Sequence, residues 1–207
     1  MHITSIEKNS RNKDRLSVYV DESYLFSISE EDYIRLNLYE KREITQEEID
    51  YIKTNLNFNS AKSSAIKHLA LRIRTECEVR SRLEYMGYDA STVDSAVDEL
   101  KSMGYLNDVL YVQKYLYDRS KLKPKSKKML RAELQRKGIQ EELIQSGLDE
   151  MEIDEAAIAV SLIKKKFGKY NLKDEKIIKR AYSFLRHRGF GFDVIEYAIA
   201  SVSVENS

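Results

Sequence analysis

Residues that interrupt helices or cross-link a chain are scarce in this sequence. Its 207 residues include 7 glycines, one proline (Pro124) and one cysteine (Cys77). A single cysteine excludes an intramolecular disulfide framework and suits a reducing compartment. The scarcity of glycine and proline argues against a sandwich of many short strands and favours helices. Cys77 itself is interpreted as a small residue packed on a helix.

Long hydrophobic runs are also absent. No window approaches the roughly 20 apolar residues of a membrane-spanning helix. The run Met1–Ile6 is too short for the apolar core of a signal peptide. We therefore predict a cytoplasmic protein with no membrane partner.

Neither sign of charge dominates the chain. There are 35 basic and 34 acidic residues, which give a net charge of +1. Residues 1–60 carry 8 basic and 12 acidic side chains, whereas residues 61–207 carry 27 basic and 22 acidic ones. This asymmetry permits an anionic partner for the later part of the chain but does not require one.

The motifs of the common enzyme classes are missing. The sequence has no Walker-type phosphate loop, no dinucleotide-binding glycine motif, no serine-hydrolase elbow and no Cys-x-x-Cys pair. The three histidines, His2, His68 and His187, share no metal-ligand spacing with one another or with Cys77. We predict no catalytic residue, no metal and no cofactor. One alternative stays open, because carboxylates converging from separate helices could form a metal-dependent nuclease site.

A set of five apolar or glycine positions recurs every 51 residues. The glycine of each set falls where a tight turn would join two helices, because such a turn needs a residue tolerant of positive φ. One three-helix unit of this size buries little core, so neighbouring units must stack. The predicted fold is mainly α, an elongated, curved array of three tandem three-helix (helix-turn-helix-like) repeats. The recurring sets are Leu83, Gly87, Tyr88, Val93 and Val97, then Leu134, Gly138, Ile139, Ile144 and Leu148, then Leu185, Gly189, Phe190, Ile195 and Ile199.

The first 60 residues follow a different pattern. Alternating apolar residues predict strands over Ile3–Ile6, Arg15–Val20 and Tyr24–Ile28, with a hairpin between the last two. Helices are predicted from Ser29 and from Thr45, where Thr-x-x-Glu has the pattern of a capping box. The predicted modules are an N-terminal β-hairpin with helices over residues 1–60, and three-helix repeats over 61–106, 107–151 and 152–207.

Basic residues concentrate at the links and second helices of the repeats. Lys121–Arg131 contains six basic residues and no acidic one. The helix dipole opposes cations at the start of a helix, so local stability does not explain this cluster. We predict an anionic partner, contacted mainly through phosphate neutralisation; the alternative is that these residues are solvated faces of charge-rich helices. The candidate contact residues are Lys121, Lys123, Lys125, Lys127, Lys128, Arg131, Arg72, Arg74, Lys164, Lys165, Lys166, Arg186 and Arg188.

The third helix of each repeat is a poor candidate for reading DNA sequence. In a helix-turn-helix protein the last helix enters the major groove and contacts base edges. The third helix of the first repeat carries Asp94, Asp98 and Glu99, and that of the second carries Glu141 and Glu142. These carboxylates weigh against sequence-specific DNA binding.

Several of these segments resemble the RecX family of regulatory proteins. The resemblance rests on Arg80–Tyr88, on Leu100–Asp108 (Leu-Lys-Ser-Met-Gly-Tyr-Leu-Asn-Asp), on Leu130–Ile139 and on Arg186–Phe190. Residues 1–60 resemble the N-terminal extension of Gram-positive-type members.

The resemblance implies three tandem three-helix repeats and a bacterial cytoplasmic regulator that is not an enzyme. The implied partner is the RecA recombinase as a filament on single-stranded DNA, whose recombinase, ATPase and coprotease activities it would inhibit. Contacts with DNA would be made to the phosphate backbone without sequence specificity, and we expect a monomer. The main alternative is a non-specific DNA-binding protein with no recombinase partner.

Overall fold

The chain folds into two compact units that divide after Asn107. The computed structural model describes residues 1–10, 12–151 and 153–205. The first unit holds an N-terminal sheet and three-helix repeat one, and the second holds repeats two and three.

A three-stranded antiparallel sheet opens the first unit. Val20 pairs with Ser23, so the hairpin between the second and third strands has a two-residue turn. Both turn residues, Asp21 and Glu22, have positive φ, which gives the turn a twist that matches the strands. The predicted hairpin is confirmed. In sheet order the strands are β1 (Ile3–Lys8), β2 (Arg15–Val20) and β3 (Ser23–Ser29).

Short helices and their links cover the apolar face of this sheet. Helix α1 (Glu30–Arg35) begins after Ser29, whose hydroxyl accepts a hydrogen bond from the Asp32 amide. Helix α2 (Gln46–Tyr51) begins after Thr45 with the predicted capping box. Their side chains and those of the links complete a core that a three-stranded sheet cannot close alone. Its buried members include Val18, Phe26, Ile28, Leu38, Ile44, Ile49 and Ile52.

The helical run that starts at α2 continues without interruption into repeat one. A π-helical segment, Ile52–Asn57, joins α2 to α3 (Phe58–Leu71), and the residues at both junctions have right-handed helical dihedral angles. No break marks residue 60, so the module boundary placed there stays a prediction.

A buried arginine fastens the sheet to the π-helical segment and to repeat one. Arg15 on β2 is only 4% exposed and donates to the Ser27 carbonyl oxygen at 2.9 Å and to Asn57 Oδ1 at 2.7 Å. Its guanidinium also lies 4.1 Å from the centre of the Tyr88 ring. Burial lowers the pKa of Arg15, and the hydrogen bonds and the ring compensate the buried cation.

Each repeat is built from three helices, as predicted. The glycine between the second and third helix has a φ of 85° in repeat one (Gly87), 75° in repeat two (Gly138) and 86° in repeat three (Gly189), which confirms the predicted turn. The recurring apolar positions are buried in the core of their own repeat, except Ile199, which is half-buried and packs against the core of repeat three. After α3 the helices are α4 (Glu76–Tyr85), α5 (Ala90–Ser102), α6 (Asp108–Leu122), α7 (Lys127–Gln135), α8 (Glu141–Glu150), α9 (Glu155–Phe167), α10 (Glu175–Arg186) and α11 (Phe192–Glu205).

One interpretation of the sequence is wrong. Cys77 lies exposed on α4 and is not a packing residue. Its position is two residues, or about 200° of rotation, from Val79 on the buried stripe of the helix.

Candidate functional site

An open groove in the second unit gathers many of the predicted contact residues. It has a volume of about 1120 Å³ and is bounded by the end of α6, the link to α7, the middle of α9 and the end of α10. None of its lining residues is acidic. Its charged lining residues are Lys121, Lys123, Lys125, Lys165, Lys166 and Arg188.

The link between α6 and α7 is pinned to repeat three, and this brings the cations of both repeats to one place. The buried Ser126 side chain caps α7 by accepting a hydrogen bond from the Met129 amide at 3.2 Å. The Ser126 amide donates to the Arg188 carbonyl oxygen at 3.1 Å. One residue further on, the Lys127 amide donates to Glu155 Oε1 at 2.6 Å. These bonds satisfy helix-terminal amides that would otherwise lack partners.

Lys125 is compensated within its own repeat. It forms an ion pair with Glu133 on α7, which also accepts a hydrogen bond from the Tyr115 hydroxyl at 2.7 Å. Burial acts to raise the pKa of Glu133, but hydrogen bonds from Lys125 and Tyr115 outweigh it, and the net effect lowers that pKa. Lys125 therefore stabilises repeat two and has less charge to offer a partner.

Arg131 also has intramolecular partners. It forms an ion pair with Glu141 and donates to the side-chain oxygen of Gln145, so it connects α7 to α8. This position does not line the groove.

Four lysines around the link remain available. Lys121, Lys123, Lys127 and Lys128 are all exposed, and none forms an ion pair within the part of the chain that the structure describes. Lys121 lies 5.9 Å from the centre of the Tyr117 ring. Lys121 and Lys123 line the groove, and the other two lie just beyond it on the first turn of α7.

The opposite wall of the groove is organised around Phe184 of α10. Lys166 Nζ lies 4.1 Å from the centre of this ring and the Arg188 guanidinium carbon lies 3.8 Å from it. Arg188 also donates to the Phe184 carbonyl oxygen at 3.0 Å, and burial lowers the pKa of its guanidinium. The ring thus holds two like charges close together at the groove wall.

The remaining predicted contact residues lie elsewhere. Lys164 on α9 and Arg186 on α10 are exposed but do not line the groove. Lys165, the residue after Lys164, does line it. Arg72 and Arg74 belong to the first unit, in the link between α3 and α4, where Arg72 lies 3.6 Å from Glu78. Of the thirteen candidates, six line the groove.

Sequence reasoning missed the apolar part of the groove. Leu122, Ile158, Leu162 and Phe184 line it together with the lysines. The sequence signal at Leu122 was weak: it stands between two lysines, but its exposure is known only from the structure.

The described residues contain no group of three or more His, Cys, Asp or Glu side chains placed to hold a metal ion. Within the same residues, no helix has the length and apolar content needed to cross a membrane.

Models of the domains of one protein family match most of the chain. The Regulatory protein RecX N-terminal domain matches residues 1–45. The first, second and third three-helix domains of RecX match residues 61–100, 107–148 and 152–199.

Curated relatives and solved structures agree with these matches. A Regulatory protein RecX of Clostridium botulinum (strain Eklund 17B / Type B) is 31% identical over 198 residues, covering 94% of this chain and 92% of that protein. Its counterpart in Clostridium beijerinckii is 31% identical over 204 residues, covering 97% and 95%.

Two solved structures share the fold. A crystal structure of regulatory protein RecX has a TM-score of 0.63 at 24% identity and covers 95% of this chain and 98% of its own. The crystal structure of RecX from Lactobacillus salivarius has a TM-score of 0.62 at 20% identity, covering 72% and 97%. From its sequence relatives and its four matched domains, this chain belongs to the RecX family of regulatory proteins.

Proposed function

We propose that this protein is a negative regulator of the RecA recombinase in DNA repair and recombination. It binds the RecA filament on single-stranded DNA and inhibits the recombinase, ATPase and coprotease activities of RecA. It acts in the cytoplasm as a monomer, without cofactor or catalysis. The observation that carries the proposal is the groove of the second unit, which collects six cations and no carboxylate in a chain of the RecX family.

The groove suits a large anionic partner better than a small substrate. Its lysines lie on an open surface, and several have no compensating carboxylate among the described residues. Contact between an uncompensated cation and a phosphate or an acidic side chain is favourable. This favourable binding free energy becomes smaller as the salt concentration rises. A nucleoprotein filament presents both kinds of anion.

Charge reversal at the groove and on the adjoining first turn of α7, where Lys128 lies, tests this function. In the triple variant Lys123→Glu, Lys128→Glu and Lys165→Glu, the changed side chains are exposed and have no ion-pair partner among the described residues, so the fold should persist. We expect half-inhibition of RecA-driven strand exchange to require at least about tenfold more protein, because several exposed charge contacts of about 0.5 kcal/mol each are lost and replaced by repulsion. Lys125 and Arg131 are left unchanged because their ion pairs stabilise repeat two.

A matched control separates local contact from net charge. Lys114→Glu, Lys173→Glu and Lys176→Glu change three exposed lysines of the same unit that do not line the groove, with the same change in net charge. Retained inhibition in the control with weakened inhibition in the groove variant supports the proposal. Equal inhibition by wild type and groove variant, both with intact helical circular dichroism, contradicts it.

The second candidate is a non-specific DNA-binding protein without a recombinase partner. The exposed lysines at the start of α7 favour it, since such residues contact phosphates in many proteins. The two functions differ in stoichiometry. A RecA regulator inhibits the DNA-dependent ATPase of RecA at concentrations too low to coat the DNA, whereas a competitor for DNA must first cover it.

A further inference from the structure

We propose that the groove of the second unit binds an acidic protein segment that also carries apolar side chains, in preference to nucleic acid. This inference rests on the proposed function, because it names which part of the nucleoprotein partner the groove contacts. Three features of the groove support it: its charge, its aliphatic surface and the cations that lie against its Phe184 ring.

The positive charge of the groove favours an anionic ligand, either a nucleic acid or an acidic protein segment. Its lining includes five lysines and one arginine without a carboxylate. One of these lysines, Lys125, already has Glu133 as a partner. The others can pair with phosphates or with aspartate and glutamate side chains, so charge alone does not choose between DNA and protein.

The aliphatic surface favours a protein segment. Leu122 is 77% exposed and lies between Lys121 and Lys123 in the groove wall, with Ile158 and Leu162 of α9 also lining the groove. A sugar-phosphate backbone has little apolar surface to cover these side chains. A peptide with leucine or isoleucine between its acidic residues would bury them, at about 25 cal/mol per Å² of apolar area.

The aromatic content of the groove disfavours single-stranded DNA. Proteins that hold single strands without sequence preference stack the bases on exposed aromatic rings. His187 and Phe184 are the aromatic residues in the lining, and two cations already lie against the Phe184 ring, Lys166 at 4.1 Å and Arg188 at 3.8 Å. A base could stack there only by displacing one of them.

The same element recurs in the first unit. Leu71-Arg-Ile-Arg-Thr75 and Leu122-Lys-Pro-Lys-Ser126 are 51 residues apart, and each joins the first helix of a repeat to the hydroxyl residue that caps the second. Leu71 is 79% exposed, close to the 77% of Leu122. Two copies of this element, an exposed leucine followed by alternating cations, suit a partner that presents its acidic segment repeatedly, as an assembly of identical subunits does.

Direct binding of model ligands tests the inference. The probes are a fluorescent peptide of Asp, Glu, Leu and Ile, a peptide of equal charge with Ser in place of Leu and Ile, and an oligothymidylate of equal charge. We expect the intact protein to bind the first peptide at least about tenfold more tightly than the second, a difference of 1.4 kcal/mol. Leu122→Ser should remove most of this preference and leave oligothymidylate binding unchanged.

Val204→Ser is the matched control, because Val204 is also 77% exposed and lies outside the groove. It should change none of the three affinities. Equal binding of the two peptides by wild type overturns the inference, and so does a loss of oligothymidylate binding in Leu122→Ser.

Strand-exchange assays on the same variants separate this inference from the proposed function. If Leu122→Ser has no effect on peptide binding while charge reversal of the groove weakens inhibition of RecA, the inference fails and the proposed function stands. If the peptide preference depends on Leu122 but no groove variant changes inhibition of RecA, the inference stands and the proposed function fails.

Discussion

Asp89 is the capping residue of α5, and its contribution to stability can be tested by substitution. It precedes α5, and its carboxylate accepts hydrogen bonds from the Thr92 amide at 3.0 Å and the Ser91 hydroxyl at 2.6 Å. Asp89→Ala removes both hydrogen bonds, so we expect the free energy of unfolding to fall by about 1 kcal/mol. Urea denaturation measures the change. Asp89→Asn keeps an acceptor for the Thr92 amide, so its free energy of unfolding should fall clearly less than that of Asp89→Ala. Equal decreases in the two variants would mean that the lost cap does not cause the destabilisation.

The same residue makes stability depend on pH. Burial acts to raise the pKa of Asp89, but the hydrogen bonds from Ser91 and Thr92 outweigh it and leave the pKa below its ordinary value. A carboxyl whose pKa is lowered in the folded state stabilises the fold above its unfolded pKa of about 3.9, and this contribution is lost as pH falls through the folded value. The stability difference between wild type and Asp89→Asn should therefore shrink below about pH 4.

The pKa of His68 depends on burial and on the arginines of the link between α3 and α4. Burial lowers the pKa of its imidazole, and the nearby cations Arg74, Arg82 and Arg72 lower it further. Replacing Arg72 and Arg74 by Gln should raise this pKa, which a proton NMR titration of the imidazole resonances measures. Arg35→Gln, at an exposed arginine paired with Asp32, is the control and should leave it unchanged. An unchanged pKa in the double variant would show that the arginines do not act on His68.

Substitutions at two glycine turns between helices can distinguish the cost of backbone strain from the cost of a steric overlap. Gly104 and Gly189 both have positive φ, 75° and 86°. A Cβ at Gly104 would meet nothing within 4 Å, whereas one at Gly189 would overlap the Ser126 hydroxyl and come within 2.9 Å of Met129 Cβ. Gly104→Ala should therefore cost only the left-handed backbone strain of about 1–2 kcal/mol.

Gly189→Ala should cost more, because α7 must move away from repeat three or the turn must change. Chemical denaturation of both variants measures the difference. Equal losses of stability would mean that the packing of α7 against this turn is loose. Since Ser126 also donates to the Arg188 carbonyl oxygen, the same movement should disturb the groove.

Helix starts could be predicted from the sequence because capping is local. Ser29 and Thr45 cap their helices as predicted. The π-helical geometry of Ile52–Asn57 could not be predicted this way. At the end of this segment Asn57 donates to the Ser27 carbonyl oxygen of β3 at 2.7 Å. A contact across 30 residues leaves no local signal.

The candidate site was predictable only in part for the same reason. The lysine run around Pro124 was visible as charge, but the ion pairs of Lys125 with Glu133 and of Arg131 with Glu141 depend on how the helices pack. The groove itself requires α6, α9 and α10 to meet, and nothing in the spacing of Leu122 and Phe184 indicates that they would line one surface.

For the whole molecule, salt dependence distinguishes a phosphate contact from a protein contact. If Lys123, Lys128 and Lys165 each neutralise a phosphate of single-stranded DNA, replacing all three by Gln should reduce the slope of log affinity against log salt by about 2. We expect a much smaller change on bare single-stranded DNA, because the groove has the aliphatic surface of a protein-binding site and its Phe184 ring already lies against Lys166 and Arg188. On RecA-coated DNA the same variant should bind more weakly than wild type, because the acidic side chains of the partner no longer meet the three lysines. If the slope instead falls by about 2 on bare DNA, these lysines contact phosphates and the groove binds nucleic acid.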